Sequence, residues 1–194
     1  MPSLRTPAAR CLIEIPRIKG SRFIAVIERT ADLSEADAVL AAVRAELPGA
    51  THYAHASRID ARTERVSDDG EVRGTAGRPI FARLTGQSLL QVTLVVVRYY
   101  GGTKLGKGGL VRAYGEAASA ALGAVELVEE PLRRVVTLTC SYALAGKLQD
   151  RTVRGGGVVL RTDYDSAVTL TLALPVGEDD LLETLLDHPG VHQG

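Results

Sequence analysis

Hydrophobic and polar positions in the first fifty residues follow a strand pattern and then a helix pattern. Two short apolar runs, residues 11–15 and 22–27, are separated by turn-forming residues, which predicts a β-hairpin. A helix is then predicted to begin at Ser34, because Asp37 three residues later completes a variant of the capping box. The helix is expected to end at Pro48-Gly49. Its apolar positions recur at helical spacing and are Ala36, Val39, Leu40, Val43 and Leu47.

The most apolar stretch of the chain, residues 92–97, predicts a strand buried on both faces. Five glycines in nine residues follow at residues 101–109, and a long alanine-rich helix is then predicted over residues 110–125. Weaker patterns predict strands over residues 52–59 and around Val66. The glycine-rich segment is therefore expected to connect a buried strand to a helix.

The acidic and proline-containing sequence Glu129-Glu130-Pro131 is the best candidate for a domain boundary, which predicts domains over residues 1–130 and 131–194. The second part has the order βαββα, which is most of a ferredoxin-like βαββαβ unit. A last strand would have to come from residues 190–194, a short segment. The expected fold class is α+β with two domains. The elements predicted in the second domain are strand 133–142, helix 144–153, strands 158–162 and 167–174, and helix 179–187.

Composition narrows the class of protein. With 194 residues, 45% hydrophobic and 24% charged, the chain has the balance of a soluble globular protein, so disorder, collagen and a disulfide scaffold are excluded. No apolar run approaches the roughly 20 residues that span a bilayer, and residues 1–10 lack the apolar stretch of a secretory signal. We therefore expect a cytoplasmic protein without a membrane partner. Cys11 and Cys140 lie far apart in strand-like segments, so reduced thiols are expected, with no metal site.

The charges are unevenly distributed although the formal net charge is zero. Residues 72–115 carry seven basic and no acidic residues, whereas residues 116–194 carry six basic and twelve acidic ones. Such a basic centre permits an anion-binding face on a neutral protein. The charge distribution therefore permits nucleic acid or a phosphate compound as a partner. In the alternative interpretation, the basic residues are surface arginines that contact only solvent.

The glycine-rich segment partly matches a phosphate-binding loop. Gly101, Gly106 and Lys107 fit the Walker A spacing, but Gly108 stands where that motif has Ser or Thr for Mg²⁺, so nucleotide hydrolysis and a bound cofactor are not expected. Backbone N–H groups, the positive end of the following helix and nearby cations still predict an anion site. The candidate residues are Arg98, Lys104, Lys107 and Arg112 for the anion and Tyr99 and Tyr100 for base stacking.

A purely structural role for the glycine-rich segment, residues 101–109, fits the sequence as well as an anion site does. Glycines at Gly101, Gly102, Gly106, Gly108 and Gly109 would also permit a tight connection from strand to helix that packs against another loop. The basic side chains would then be solvated.

A second candidate segment carries three carboxylates, Asp68, Asp69 and Glu71, close to Arg73 and Arg78. Carboxylates at this density could hold Mg²⁺ or serve as acid and base. The spacing matches no EF-hand, and Asp-Asp-Gly is also common in turns. The pattern favours a structural role, in which the carboxylates pair with nearby arginines and order adjoining loops.

Residues 67–77 and 98–114 closely resemble the IMPACT/YigZ family, and the resemblance extends over about residues 15–127. Residues 131–190 resemble the small C-terminal domain of bacterial members. The chain departs from the family pattern at Val72-Arg73, where Pro-Ser is usual, and at Tyr53. The resemblance implies a first domain with the α/β sandwich fold of the second domain of a ribosomal protein and of domain IV of elongation factor G. It implies a second, ferredoxin-like domain similar to domain V of that factor.

The resemblance also implies a link to translation, since eukaryotic relatives regulate translation during starvation by binding an activator of an initiation-factor kinase. The leading hypothesis is a non-enzymatic factor that binds RNA or a ribosome-associated partner through the basic glycine-rich loop. One alternative is an enzyme that acts on a small phosphorylated substrate with a metal held by Asp68, Asp69 and Glu71. Another is a module that binds only proteins, and the oligomeric state is left open.

Overall fold

The computed structural model describes residues 3–177 and 179–193, without the side chains of residues 179 and 180. Contacts divide the chain into two units: residues 4–129 form an N-terminal unit, and residues from Glu130 onward, with Ser3, form a C-terminal unit. Both units combine helices with antiparallel strands, so the protein is α+β. None of the helices in the described part of the chain is both long and apolar enough to span a bilayer.

The first 131 residues contain seven strands and three helices within the described part of the chain. They are β1 (Ser3–Pro7), β2 (Cys11–Ile18), β3 (Ser21–Arg29), α1 (Leu33–Glu46), β4 (His52–Arg58), β5 (Glu64–Ser67), α2 (Gly77–Gly86), β6 (Val92–Tyr99), α3 (Lys107–Ala124) and β7 (Leu127–Pro131).

A five-stranded sheet with the order β2-β3-β6-β4-β5 organises the N-terminal unit, and β1 pairs with β7 in a separate two-stranded sheet. The predicted hairpin is confirmed as β2 and β3, and β6 lies between β3 and β4 as the central strand. Seven of the eight residues of β6 are buried, because α2 and α3 cover one face of the sheet and α1 covers the other. The prediction of a strand buried on both faces is therefore confirmed.

Helix α3 packs against β2 and β3 through a face of small residues. Its alanines allow a close approach to the sheet, and its one large buried aromatic side chain, Tyr114, meets the ring of Phe23 edge to face at a centroid distance of 5.3 Å. The buried residues of α3 are Leu110, Ala113, Tyr114, Gly115, Ala117, Ala118, Ala121 and Leu122.

Three predicted helix starts are wrong, and one of them is in the second domain, where the helix predicted from residue 144 begins at Tyr142. Helix α1 begins at Leu33 rather than Ser34, because the capping box is formed two residues earlier: Asp32 accepts from the Glu35 N–H, and Glu35 accepts from the Ala31 N–H. Helix α3 begins at Lys107 rather than near residue 110, so two glycines belong to its first turn. Helix α2 and strands β1 and β7 were not predicted from the sequence.

The C-terminal unit has the element order βαββαβ. Its elements are β8 (Arg133–Cys140), α4 (Tyr142–Arg154), β9 (Val158–Tyr164), β10 (Val168–Pro175), α5 (Asp179–Leu186) and β11 (His192–Gln193). The strands form one antiparallel sheet with the order β11-β8-β10-β9. The short last strand does form, with His192 opposite Thr139 and Gln193 opposite Leu138.

Candidate functional site

A cleft of about 550 Å³ opens in the N-terminal unit where β6 ends and α3 begins. The start of β4 and the loop that follows β5 complete its walls. Cations, a tyrosine ring, a carboxylate and the first turn of a helix thus face one cavity. The lining residues are Thr51, His52, Glu71, Val72, Arg98, Tyr100, Lys104, Leu105, Gly106, Lys107 and Leu110.

Strand register brings the floor of the cleft together. Phe23 of β3 and His52 of β4 both lie opposite Arg98 of β6, one on each side. Residues directly opposite each other on neighbouring strands point to the same face, so these three side chains form a row next to the α3 helix. The central strand β6 therefore places the Arg98 cation at the edge of the hydrophobic core.

Arg98 is buried, with 4% of its surface exposed. Its Nη1 pairs with the Glu71 carboxylate, and its Nη2 donates to Ser21 Oγ at 3.4 Å. Its guanidinium lies 5.6 Å from the Phe23 ring centroid and 5.4 Å from that of Tyr100. The prediction that Arg98 contacts an anion stays a prediction, and the structure adds that the side chain points inward and that Glu71 neutralises much of its charge.

The Nε–H of Arg98 is a donor that the fold leaves unused. The Nε atom is buried and makes no hydrogen bond to any residue that the structure describes. Buried polar groups are nearly always hydrogen-bonded, and an unpaired one is a candidate ligand contact. Arg98, which lines the cleft, therefore has one N–H for which the described residues offer no acceptor.

Glu71 accepts hydrogen bonds from two buried side chains, and a histidine lies beside it. Besides Arg98, the Tyr114 hydroxyl donates to its Oε2 at 3.1 Å, and His52 Nε2 lies 3.7 Å from the same oxygen. Burial and the neighbouring negative charge of Glu71 raise the pKa of Tyr114 far above its usual value, so the phenol stays protonated and keeps donating. The carboxylate is thus a structural centre that positions Arg98.

His52 is a cleft residue that the sequence analysis did not select. Its Nδ1 lies 2.9 Å from the Asp69 carbonyl oxygen, so this nitrogen carries the hydrogen and donates it. Its Nε2 then faces Glu71 and the cleft. The nearby His55 points to the other face of the strand and contacts the Tyr53 carbonyl, as alternation along the strand predicts.

The three carboxylates of the acidic segment point in three directions. Asp68 accepts from backbone N–H groups at the start of α2, Asp69 pairs with Arg44, and Glu71 pairs with Arg98. Two of them do pair with arginines, but the partners are not the expected Arg73 and Arg78, which are exposed. Among the described residues no three His, Cys, Asp or Glu side chains gather where a metal ion could bind. The alternative of a metal held jointly by these carboxylates therefore has no support in this geometry.

Asp68 organises the loop that leads into α2. Its carboxylate accepts from the backbone N–H groups of Gly74 at 2.7 Å, Ala76 at 3.0 Å and Gly77 at 2.9 Å. Burial acts to raise the pKa of Asp68, but these three hydrogen bonds outweigh it, and the pKa lies below its usual value. The folded protein therefore stabilises the ionised form of Asp68.

Asp68→Asn is expected to lower the free energy of unfolding by about 1 to 2 kcal/mol at neutral pH, because an amide cannot replace both acceptor oxygens at a helix start. A folded-state pKa below the unfolded one gives stability that is present above the unfolded pKa and is lost as the pH falls through the folded value. Urea unfolding from pH 7 downward measures the difference, which should shrink in acid. The exposed Asp150→Asn serves as control, and a difference independent of pH would contradict the assignment.

The predicted cations do not all reach the cleft. Lys104 and Lys107 are exposed and line it. Arg112 is also exposed and does not line the cleft, but its Nη1 lies 3.7 Å from the position that a Cβ at Gly108 would occupy, so its charge stays beside the first turn of α3. The cleft thus contains two accessible lysines and the buried Arg98.

The two tyrosines at the end of β6 lie on opposite faces of the sheet. Tyr100 is at the cleft with 46% of its surface exposed. Tyr99 instead packs beside α1, where its hydroxyl donates to the Pro48 carbonyl at 3.2 Å and Arg22 lies 5.2 Å from its ring. The prediction that Tyr99 could stack a base at the loop is corrected, since alternation along β6 excludes it from the cleft.

The glycines of the loop have distinct structural roles. Gly101 passes so close to the β2–β3 turn that a Cβ would lie 1.9 Å from the carbonyl carbon of Gly20. Gly106 has a φ of +73° at the N-cap of α3, where it offers no side chain to the first-turn N–H groups. Gly102 also has a positive φ, while Gly108 and Gly109 are helical. The segment is thus a tight connection that leaves the start of α3 uncapped, and the interpretation as an anion site stays a prediction.

Comparisons with known proteins follow the same division of the chain. Residues 19–122 match the model of the Impact N-terminal domain, and residues 138–187 match a domain of unknown function, DUF1949. The IMPACT family member YigZ of Escherichia coli (strain K12) is 37% identical over 182 residues, which cover 92% of this chain and 89% of that one. An IMPACT family member of Thermus thermophilus is 51% identical over 105 residues, covering 54% of this chain and 56% of the other.

A solved structure supports the fold of the whole chain. The crystal structure of a hypothetical protein with 34% sequence identity superposes with a TM-score of 0.77 and covers 100% of this chain and 97% of that one.

Proposed function

The chain belongs to the IMPACT family, and on this premise we propose that it is a cytoplasmic, translation-associated factor that binds RNA or a ribosome-associated partner through the cleft. The family resemblance supplies the link to translation. The cleft supplies the chemistry, because its accessible charges are positive and its carboxylate is already paired. We further propose that the N-terminal unit has the elongation factor G domain IV-like sandwich and the C-terminal unit the ferredoxin-like fold, with domains over residues 1–130 and 131–194.

The observation that carries the proposal is the uncapped start of α3 between two accessible lysines. The first intrahelical bond runs from the Leu110 N–H to the Gly106 carbonyl, and Gly106 has no side chain that could accept from the N–H groups of the first turn. A helix N-terminus without a cap attracts anions, and Lys104 and Lys107 add full charges beside it. Phosphates of RNA are anions of this kind.

Tyr100 completes the site. Its ring is half-exposed at the cleft and is held on its other side near the Arg98 guanidinium. Its backbone N–H donates to Thr51 Oγ1 at 3.0 Å, which fixes the point where the chain leaves β6. A rigid aromatic face next to a phosphate site suits the stacking of a base without selection for sequence.

Replacing both lysines is expected to weaken RNA binding and its dependence on salt. In Lys104→Ala/Lys107→Ala, two phosphate contacts are removed, so the slope of log K against log salt should become shallower by about 1.4 for single-stranded RNA. Fluorescence anisotropy with a labelled single-stranded RNA and co-sedimentation with ribosomes, each over a salt series, measure the effect.

The matched control is Arg17→Ala/Arg62→Ala, which removes the same charge from exposed positions outside the cleft lining. It should leave both affinity and slope near those of the wild type. Equal losses in the two double variants would show a nonspecific charge effect and contradict the assignment to the cleft. Capture of a partner that survives nuclease treatment, without RNA binding, would favour the protein-binding alternative.

A further inference from the structure

We propose that the cleft binds the terminal phosphate of a nucleotide, a phosphate monoester, in preference to an internal phosphodiester of a strand. This inference rests on the site assigned above and specifies the group that it recognises. The ligand chemistry is the same whether the phosphate ends an RNA or belongs to a free nucleoside monophosphate.

The first argument is the number of unused donors at the cleft and at the helix start that borders it. The first turn of α3, in which Lys107 lines the cleft, has the backbone N–H groups of Lys107, Gly108 and Gly109, for which no described side chain serves as a cap. Arg98 adds its Nε–H, which is buried and has no partner among the described residues. A monoester has three terminal oxygens to accept these hydrogens, whereas an internal diester has only two non-bridging oxygens.

The second argument is charge. Of the described residues that line the cleft, three are cations, Arg98, Lys104 and Lys107, and one is a carboxylate, Glu71. The Glu71 side chain pairs with Arg98, so an excess of two positive charges remains. A phosphate monoester carries a charge of about −1.5 to −2 near neutral pH, which matches this excess better than the single charge of a diester.

The third argument is depth. The side chains of Arg98 and Glu71 are only 5% and 6% exposed, whereas Lys104 and Lys107 are exposed at the entrance. A group that reaches the Arg98 Nε–H must therefore enter the cleft end-on, and a diester would need room for a chain on both sides. The volume of about 550 Å³ lies in the range of sites that enclose one small ligand. Tyr100 at the entrance is placed to contact the base of the same nucleotide.

The Glu71 carboxylate has a positioning role in this arrangement. It occupies Arg98 Nη1 and leaves Nε without a partner in the described part of the chain. The guanidinium is also held near the rings of Phe23 and Tyr100, so its orientation is fixed before a ligand arrives. Such preorganisation lowers the entropic cost of binding a small anionic group.

The test compares three single-stranded RNAs of one sequence with an internal fluorophore: one with a 5′-phosphate, one with a 3′-phosphate and one with neither. We expect one of the phosphorylated RNAs to bind the full-length protein about tenfold more tightly than the unphosphorylated one at equal salt, since charge-assisted hydrogen bonds are gained. Adenosine monophosphate should compete for the site, and adenosine should not.

Gly108→Asp tests the location. A Cβ at Gly108 meets only the flexible end of Arg112 at 3.7 Å, so the variant is expected to fold. Its carboxylate would occupy the first-turn N–H groups in place of the ligand, so the preference for the phosphorylated end should disappear. Gly123→Asp, at the exposed far end of the same helix, carries the same change in charge and should keep the preference.

The outcomes separate this inference from the proposed function. Equal binding of all three RNAs, without competition by adenosine monophosphate, would overturn the monoester inference and leave RNA binding intact. Binding of adenosine monophosphate alone would support the monoester site and contradict RNA as its source. A preference that Gly108→Asp retains would overturn the assignment to α3, and no binding of any probe would overturn both proposals.

Discussion

Glu71→Gln is expected to lower the free energy of unfolding by about 3 to 5 kcal/mol, because it removes the charge that compensates a buried arginine. The Glu71 carboxylate accepts from Arg98 and from the Tyr114 hydroxyl, and both side chains are buried. Both donors contact the same carboxylate oxygen, Oε2, so the single amide oxygen of glutamine can still accept from them, but it carries no negative charge to compensate the guanidinium. Urea unfolding followed by circular dichroism measures the loss.

Two control variants make this prediction specific. Glu64→Gln breaks the more exposed pair with Arg58 and should cost less than about 1 kcal/mol. Glu71→Gln/Arg98→Met removes both buried charges and should be more stable than the sum of its single variants, since no lone charge remains. A loss of less than about 1 kcal/mol for Glu71→Gln itself would show that Arg98 does not depend on this carboxylate.

Gly101→Ala is expected to destabilise the protein by about 3 kcal/mol or more, because overpacking against backbone cannot be relieved by rotating a side chain. A Cβ at this position would lie 1.9 Å from the Gly20 carbonyl carbon and 2.2 Å from the Ser21 nitrogen. The β2–β3 turn or the loop after β6 must therefore move. The loss of stability is measured by thermal unfolding, and binding to RNA should weaken in parallel because the same loop shapes the cleft.

Gly123→Ala is the control, and the opposite effect on stability is expected for it. Gly123 lies in α3 with an ordinary backbone conformation, and a Cβ added there would meet nothing within 4 Å. The same substitution should stabilise the helix by about 0.5 to 1 kcal/mol, since alanine loses less backbone freedom on folding. If both variants shift stability in the same direction, the close contact at Gly101 is not the cause.

Much of the fold is predictable from local pattern. Alternation and apolar runs locate β2, β3, β6 and β10, because burial of one or both faces leaves a strong signal in the sequence. Helix α2 was missed because it is short, contains Pro79 and has glycine at both ends, although Ile80 and Leu84 are spaced as buried helix residues. The start of α3 was placed too late because Gly108 and Gly109 are poor helix formers, yet the helix includes them.

The candidate site is only partly predictable, because its central contact joins residues distant in sequence. Glu71 and Arg98 are 27 positions apart, and the pairing depends on how β4 and β6 align and on the path of the loop after β5. The separation of Tyr99 from Tyr100 follows from alternation along a strand, and this signal was available in the sequence. Which face of the sheet α3 covers is decided by tertiary packing, and local pattern does not contain that information.

Helix α3 supplies the first turn at the cleft and eight buried residues of the core. Occupancy of the cleft is therefore thermodynamically linked to unfolding of the N-terminal unit, since a ligand that needs the folded helix is lost when the helix unfolds. Each tenfold excess of ligand over its Kd adds about 1.4 kcal/mol to stability. The melting temperature thus becomes a direct indicator of binding, by which a panel of phosphorylated compounds can be ranked without any assay of translation.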